Sequence, residues 1–142
     1  MTDIIIRPAT EEDTETIKAM VNRERLNPLS LDWTHFLIAE IDGNIAGIGQ
    51  IKLHKDCEEL ASLVTNPDYR GRGVASKMIA ELEQRAGRPL YLRCADKMQP
   101  YYEKFGYQVV TWREAPQSLK LFGVLMRLLS IFGIRGLIMR KD

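Results

Sequence analysis

Cysteine, histidine and net charge are all scarce in this sequence. The 142 residues include two cysteines and two histidines, and the formal net charge is +1. Two cysteines are too few for a disulfide framework, and His35 and His54 are too far apart to suggest a shared metal ion. A net charge near zero gives no overall field that would attract nucleic acid, so any anion site has to be local. We therefore expect no metal centre, no nucleic-acid partner, and ordinary hydrogen-bonded roles for both histidines.

The sequence also lacks a hydrophobic run long enough to span a membrane. The longest apolar stretch, residues 119–134, contains Lys120 and Arg127 and is shorter than the roughly 20 residues that a spanning helix needs. The opening segment MTDIIIRPAT is too short and too acidic for a secretory signal. Together with the low cysteine content, these features predict a reduced intracellular compartment, the cytoplasm.

Apolar and charged residues are present in ordinary proportion, at 45% and 27%, which favours one globular domain over residues 1–142. Segments with strand and helix patterns alternate in the middle of the chain, and strands cluster towards its ends. A hairpin is predicted in HFLIAEIDGNIAGIGQIKLH, around an Asp-Gly turn. The pattern therefore predicts an α/β fold with a mixed sheet.

The segment NPDYRGRGVASKMI places two glycines and two arginines where a helix is predicted to begin. The first N–H groups of a helix have no intrahelical acceptor, and the helix dipole adds partial positive charge there. Gly71 and Gly73 allow these N–H groups to converge, and Ala75 permits close approach of a ligand. The alternative is a tight turn with solvated arginines. The spacing matches neither a Walker loop nor a dinucleotide fingerprint.

Two motifs resemble those of the GNAT superfamily of N-acetyltransferases. The run from Arg70 to Ala75 fits the pattern Arg/Gln-x-x-Gly-x-Gly/Ala of the acetyl-CoA pyrophosphate loop, and PYYEKFGYQVV resembles the second family motif, thirty residues on. The resemblance covers nearly the whole chain, although residues 1–50 match only in the order of elements. It implies a mixed, mostly antiparallel sheet flanked by helices, and transfer of an acetyl group from acetyl-CoA to a primary amine by direct attack on the thioester.

The resemblance also assigns cofactor contacts. The pantetheine arm would pair with the strand before the loop, and the pyrophosphate would lie on the loop's backbone N–H groups. The residues assigned to acetyl-CoA in this way are Leu63, Val64, Thr65, Arg70, Gly71, Arg72, Gly73, Val74, Ala75 and Ser76. The two arginine side chains could add charge or could simply be solvated.

Two candidate proton-transfer groups match family positions. Tyr102 corresponds to the tyrosine that protonates the departing thiolate, and its alternative role is a packing tyrosine with a hydrogen-bonded hydroxyl. Glu59 corresponds to the base in some family members, and its alternative is a solvated glutamate at a strand start. Strand alternation places Glu59 on the same face as Leu63 if no bulge intervenes, and it places Glu58 on the opposite face as a control.

The sequence departs from the family pattern before the second motif. The loop CADKMQP lacks the asparagine that contacts the cofactor arm in many members, and Asp96 or Gln99 could substitute. Cys94 has no histidine near it in sequence, so we interpret it as a small buried side chain. The acceptor, a small-molecule amine or a protein amino group, would lie against residues 22–36 and the segment after Trp112. An alternative function is a catalytically weak acyl-CoA-binding sensor or interaction module.

An additional apolar helix is predicted between the last two strands, at residues 118–132. Lys120, Arg127 and Ser130 form only a narrow polar stripe on this helix, which leaves an excess of apolar surface. This surface could be buried by the domain's own sheet, by a second copy in a homodimer through residues 118–134, or by an apolar acceptor. A membrane surface is the occupant that we expect least.

Overall fold

The structure is a computed structural model that describes residues 3–142. By internal contacts the chain divides into two compact units. The first contains the chain up to Lys52 together with Leu60–Ala86, and the second contains Leu53–Glu59 and Gly87–Asp142. The single-domain prediction for residues 1–142 stays a prediction, and it includes Met1 and Thr2, which lie outside the described residues.

The first unit contains β1 (Ile4–Pro8), α1 (Thr14–Arg23), β2 (Phe36–Ile41), β3 (Asn44–Leu53), most of β4 (Glu58–Thr65) and α2 (Val74–Arg85). The strand order is β1-β2-β3-β4, and the β1–β2 and β2–β3 pairs are antiparallel. Asp42 and Gly43 form the turn of the predicted hairpin, both with positive φ.

The two helices of the first unit bury apolar side chains that recur at helical spacing. Helix α1 buries Ile17, Met20 and Val21. Helix α2 buries Met78, Ile79 and Leu82, together with Val74 in its first turn. The start of α1 is determined by residues close in sequence, because Thr10 and Asp13 form a capping box just before the helix.

The second unit contains the start of β4, β5 (Leu90–Ala95), α3 (Gln99–Glu103), β6 (Gln108–Val110), α4 (Gln117–Leu129) and β7 (Gly136–Lys141). The strand order is β4-β5-β7-β6. β4 and β5 pair in parallel, whereas β7 pairs antiparallel with both β5 and β6. The chain is thus an α/β protein whose seven strands form a mostly antiparallel sheet flanked by helices, as the family resemblance implied.

The predicted apolar helix is α4, continued by a 3₁₀ turn at Ser130–Phe132. Its inner face carries Leu119, which is fully buried, and Gly123, where an added Cβ would lie 2.5 Å from the Cβ of Trp112. Its outer face is not covered within the unit, since Leu121 is 78% exposed and Leu128 is 63% exposed. Burial by the domain's own sheet therefore accounts for only one side of this helix. Among residues 3–142, no helix is long and apolar enough to cross a membrane.

Candidate active site

The glycine loop connects β4 to α2 in the first unit. A 3₁₀ turn at Pro67–Tyr69 opens it, and Asn66 anchors it. The side-chain oxygen of Asn66 accepts a hydrogen bond from the N–H of Asp68 at 3.1 Å, and its amide nitrogen donates to the carbonyl of Ile45 at 3.2 Å. The loop is therefore attached to the sheet at its entry, as a rigid anion cradle requires.

Gly71 and Gly73 adopt left-handed backbone conformations, with φ of +79° and +82°. Gly73 is the residue directly before α2, and an added Cβ at either glycine would meet only open space. The glycines are thus needed for their backbone angles and not for room. The first N–H groups of α2 have no acceptor within the helix, and the space beside the two glycines that precede them is open.

The side chains of the loop arginines already have protein partners. The Nη2 atom of Arg70 lies 3.2 Å from the Oε1 atom of Glu24, and the guanidinium of Arg72 lies 5.3 Å from the ring centroid of Tyr69. Val74 is buried, whereas the Ser76 side chain is exposed. The anion-binding capacity of the loop therefore rests mainly on backbone N–H groups.

The strand assigned to the pantetheine arm is irregular. Ser62 has a φ of +54°, which interrupts the extended conformation of β4. The buried side-chain amide of Gln50 donates a hydrogen bond to the Ser62 hydroxyl at 2.8 Å. Alternation would place Glu59 and Leu63 on one face only if the strand between them were uninterrupted. Ser62 interrupts it, so the alternation argument does not apply. Val64 is buried, and Leu63 and Thr65 are half-buried.

Glu59 lies in a buried cluster of charged groups in the second unit. The residue is 2% exposed. Its Oε2 atom accepts a hydrogen bond from Arg93 Nε at 2.6 Å, and its Oε1 atom accepts one from Arg93 Nη2 at 3.0 Å. His54 Nε2 lies 2.8 Å from the same Oε1 atom. The alternative of a solvated glutamate is therefore wrong.

Sequence reasoning missed Arg93 and His54. Arg93 stands in the otherwise apolar strand LYLRC, and a charged residue within a buried strand needs a partner, which was the available signal. The Arg93 guanidinium also lies 5.3 Å from the ring centroid of Phe122. The His54 side chain is 24% exposed and lines a cleft of about 390 Å³ with Cys57 and Tyr91. This cluster can accept or relay a proton, and His54 is its member that lines the cleft.

Glu58 has a structural partner of its own. Its carboxylate accepts a hydrogen bond from the backbone N–H of Gly87. Glu58 is therefore a usable control for Glu59, provided that the replacement keeps an acceptor oxygen.

Tyr102 lies on α3, packed among other aromatic rings. Its ring centroid lies 5.2 Å from that of Tyr101 and 6.2 Å from that of Tyr107. Burial, reinforced by the nearby Cys94, raises the pKa of Tyr102 to about 12. The phenol therefore keeps its proton at neutral pH. Tyr101 in turn packs on Phe105, with ring centroids 5.3 Å apart.

The two cysteines are thiols and not nucleophilic thiolates. Burial raises the pKa of both Cys57 and Cys94 to about 11. The Sγ atom of Cys94 lies 3.8 Å from the Sδ atom of Met139. The interpretation of Cys94 as a packing residue agrees with these contacts, although its side chain is only half-buried.

Comparisons with known proteins place the chain in a family. A model of the acetyltransferase (GNAT) domain matches residues 32–109. No curated protein matches the sequence. Among solved structures, N-acetylglutamate synthase from Neisseria gonorrhoeae, in complex with coenzyme A and N-acetyl-glutamate, has a TM-score of 0.79 and 22% identity, covering 99% of this chain and 35% of that chain. The chain thus spans about a third of the length of that synthase.

Two further solved structures match at similar length. Rv2747 from Mycobacterium tuberculosis, in complex with CoA, has a TM-score of 0.75 and 15% identity, covering 96% of this chain and 98% of that chain. An acyl-CoA N-acyltransferase from Pseudomonas aeruginosa has a TM-score of 0.68 and 18% identity, covering 100% of both chains. At these identities the likenesses establish the fold alone. The domain match extends over more than half of the sequence, and on this ground the chain belongs to the GNAT acetyltransferase family.

Proposed function

We propose that this protein transfers an acetyl group from acetyl-CoA to a primary amine by direct attack of the amine on the thioester. The observation that carries the proposal is the loop before α2, where Gly71 and Gly73 have left-handed backbone angles and the surface beside them is open. Family membership supports acyl transfer, and solved relatives such as the Neisseria synthase hold coenzyme A.

On this proposal the cofactor is held mainly by backbone groups. The N–H groups from Arg70 to Ser76 bind the pyrophosphate, and Leu63, Val64 and Thr65 offer backbone groups to the pantetheine arm. The charge of the arginines contributes less, since Arg70 is paired with Glu24 and is largely exposed.

The reaction also requires groups that transfer protons. The amine must lose a proton before it attacks, and we assign that proton to Glu59, reached through water or through His54. As the new C–N bond forms, the C–S bond breaks and the electron pair stays on sulfur. Tyr102 then donates its proton to the thiolate, and the surplus proton of the new amide nitrogen passes through solvent to the tyrosinate. A protonated phenol suits this role, because the pKa of Tyr102 is raised to about 12.

The hydroxyl of Tyr102 supports the assignment in one further respect. Within residues 3–142 it forms no hydrogen bond to another side chain or to the backbone, so it remains available to donate to a ligand. The alternative, a packing tyrosine whose hydroxyl donates to a backbone carbonyl, is not supported by any such hydrogen bond within residues 3–142.

The test measures CoA binding by calorimetry and thiol release over a panel of amines. Ala75→Asp puts a bulky carboxylate at the proposed pyrophosphate site, and it should abolish CoA binding while the fold is retained. Ala80→Asp is the matched control, because Ala80 is exposed on the same helix and the charge change is identical. If both variants bind CoA as the parent does, the loop assignment fails. CoA binding without thiol release for any amine would favour an acyl-CoA sensor.

Three finer expectations belong to the same proposal. The acceptor is a small-molecule amine or a protein amino group, the protein works in the cytoplasm, and copies associate through residues 118–134. The exposed side chains of α4, Leu121 and Leu128 among them, support the last of these.

A further inference from the structure

A second cavity lies in the second unit, at the edge of the sheet where β5 ends and β7 begins. It has a volume of about 730 Å³, within the usual range for small-molecule sites. Its apolar lining includes Trp112, Met126 and Leu137, and Asp96 and Gln99 line the end nearest α3. Gln99 is three residues before Tyr102, so the cavity reaches the helix that carries the candidate acid.

Three arginines converge on this cavity from separate segments. Arg113 follows β6, Arg127 lies in the last turn of α4, and Arg135 directly precedes β7. Among residues 3–142 no carboxylate forms an ion pair with any of the three. Arg113 stacks on Trp112, with its guanidinium 5.2 Å from the ring centroid.

The surrounding sequence offers little negative charge to balance this group. No aspartate or glutamate occurs from residue 115 to residue 141. Asp96 is the one acid in the lining, so three positive charges face one negative charge. Like charges brought together around a cavity repel one another, and a bound anion relieves the repulsion. A guanidinium fork is also well shaped to pair with a carboxylate or a phosphate.

We infer that this cavity binds an amine whose body carries an anionic group, a carboxylate or a phosphate, held by Arg127 and Arg135, with Arg113 and its Trp112 platform beside it. Asp96 and Gln99 then face the amine end. The inference rests on the proposed function in one respect, because that function makes the bound amine the acetyl acceptor. It adds that neutral and purely cationic amines are poor acceptors.

The first measurement is equilibrium binding by calorimetry, which requires no turnover. The probes are pairs that differ in the anionic group: β-alanine with its isosteric amide β-alaninamide, and phosphoethanolamine with ethanolamine, the same amine without its phosphate. We expect at least one anionic probe to bind ten times or more tightly than its partner without the anionic group. The pair that shows the difference identifies the anionic group as carboxylate or phosphate. If neither anionic probe binds better than its partner, the inference is overturned.

The second measurement assigns the effect to the cavity. Arg127→Gln combined with Arg135→Gln should weaken binding of the preferred anionic probe at least tenfold and leave binding of its partner, which lacks the anionic group, unchanged. The control is Arg85→Gln, which removes one exposed charge from the end of α2 and should change neither. An equal affinity of the double variant and the control overturns the inference. Thermal unfolding of all variants checks that they are folded.

Thiol release separates this inference from the proposed function. If binding of the anionic probe depends on the arginines but no amine gives thiol release, the anion site stands and the acetyltransferase proposal fails. If thiol release has the same kcat/KM for an anionic probe and for its partner without the anionic group, the acetyltransferase proposal stands and the anion site fails.

Discussion

The carboxylate of Glu59 accepts two hydrogen bonds from the guanidinium of Arg93, at 2.6 and 3.0 Å, while His54 approaches the same carboxylate at 2.8 Å. The Glu59 side chain is almost fully buried, at 3% exposed, and the Arg93 side chain is 24% exposed. Buried charges are costly unless they are paired, so each partner depends on the other. Glu59 therefore has a structural role in addition to its proposed chemistry.

The first prediction concerns stability. Arg93→Gln should lower the free energy of unfolding by about 2–4 kcal/mol, because it leaves the Glu59 carboxylate buried with one partner. The double variant, Arg93→Gln with Glu59→Gln, should lose less free energy of unfolding than the sum of the two single losses, since the unpaired charge is then gone. Urea denaturation of the four proteins measures this coupling. Strict additivity would contradict the pairing.

The second prediction concerns the proposed base. Glu59→Gln should lower thiol release at neutral pH and recover part of it at higher pH, where the acceptor amine loses its proton unaided. Glu58→Gln is the control, and it should change activity little because the amide oxygen can still accept from Gly87. Equal pH-rate profiles for the two variants would remove the assignment of Glu59 as base.

The third prediction concerns Tyr102. Tyr102→Phe should reduce kcat by about ten- to a thousandfold with little change in CoA affinity, because only the proton donor is lost. The raised pKa of Tyr102 also affects stability at alkaline pH. The unfolded tyrosine loses its proton near 10 and the folded one near 12, so the free energy of unfolding falls as pH rises through this interval. In the phenylalanine variant this part of the alkaline loss should be absent, which denaturation at pH 9 and pH 11.5 would reveal.

The fourth prediction concerns Asp13 in the first unit. Arg7 donates two hydrogen bonds to its carboxylate, at 2.8 and 3.1 Å, and these lower the pKa of Asp13 to about 2. A lowered pKa stabilises the fold above the unfolded value of 3.8, and the contribution is lost as pH falls through about 2. Asp13→Asn should cost about 1–3 kcal/mol at pH 7 and less at pH 2. Glu11→Gln, an exposed change in the same turn, should cost little at either pH. A cost at Asp13 that does not depend on pH would contradict the ion pair.

The fifth prediction concerns the outer face of α4. Leu121→Glu with Leu128→Glu should leave the free energy of unfolding within about 0.5 kcal/mol, because both side chains are exposed. The double variant should sediment as a smaller species than the parent at high concentration, since the exposed leucines drive association. Leu119→Glu, on the buried face, should unfold the protein. Unchanged sedimentation would show that this face does not mediate contact between copies.

Local chemistry in the sequence determined the order of elements and the conformation of the glycine loop. Apolar residues at helical spacing mark α1 and α2, and the Asp42-Gly43 pair marks the turn of the hairpin. These signals act between residues that are neighbours in the chain, so they can be detected without knowledge of the tertiary structure. The loop motif is of the same kind, because its glycines are required by backbone angles at single positions.

Only the tertiary structure decided the surroundings of Glu59 and the surface of α4. Arg93 reaches Glu59 because β5 pairs in parallel with the start of β4, and a parallel pairing leaves no signal in either segment alone. The irregularity at Ser62 is tied to Gln50, which lies on another strand, so simple alternation along β4 could not anticipate it. The convergence of Arg113, Arg127 and Arg135 likewise depends on which elements meet at the end of β5. Side-chain partners that are distant in sequence are chosen by strand pairing and helix packing, and these are properties of the whole fold.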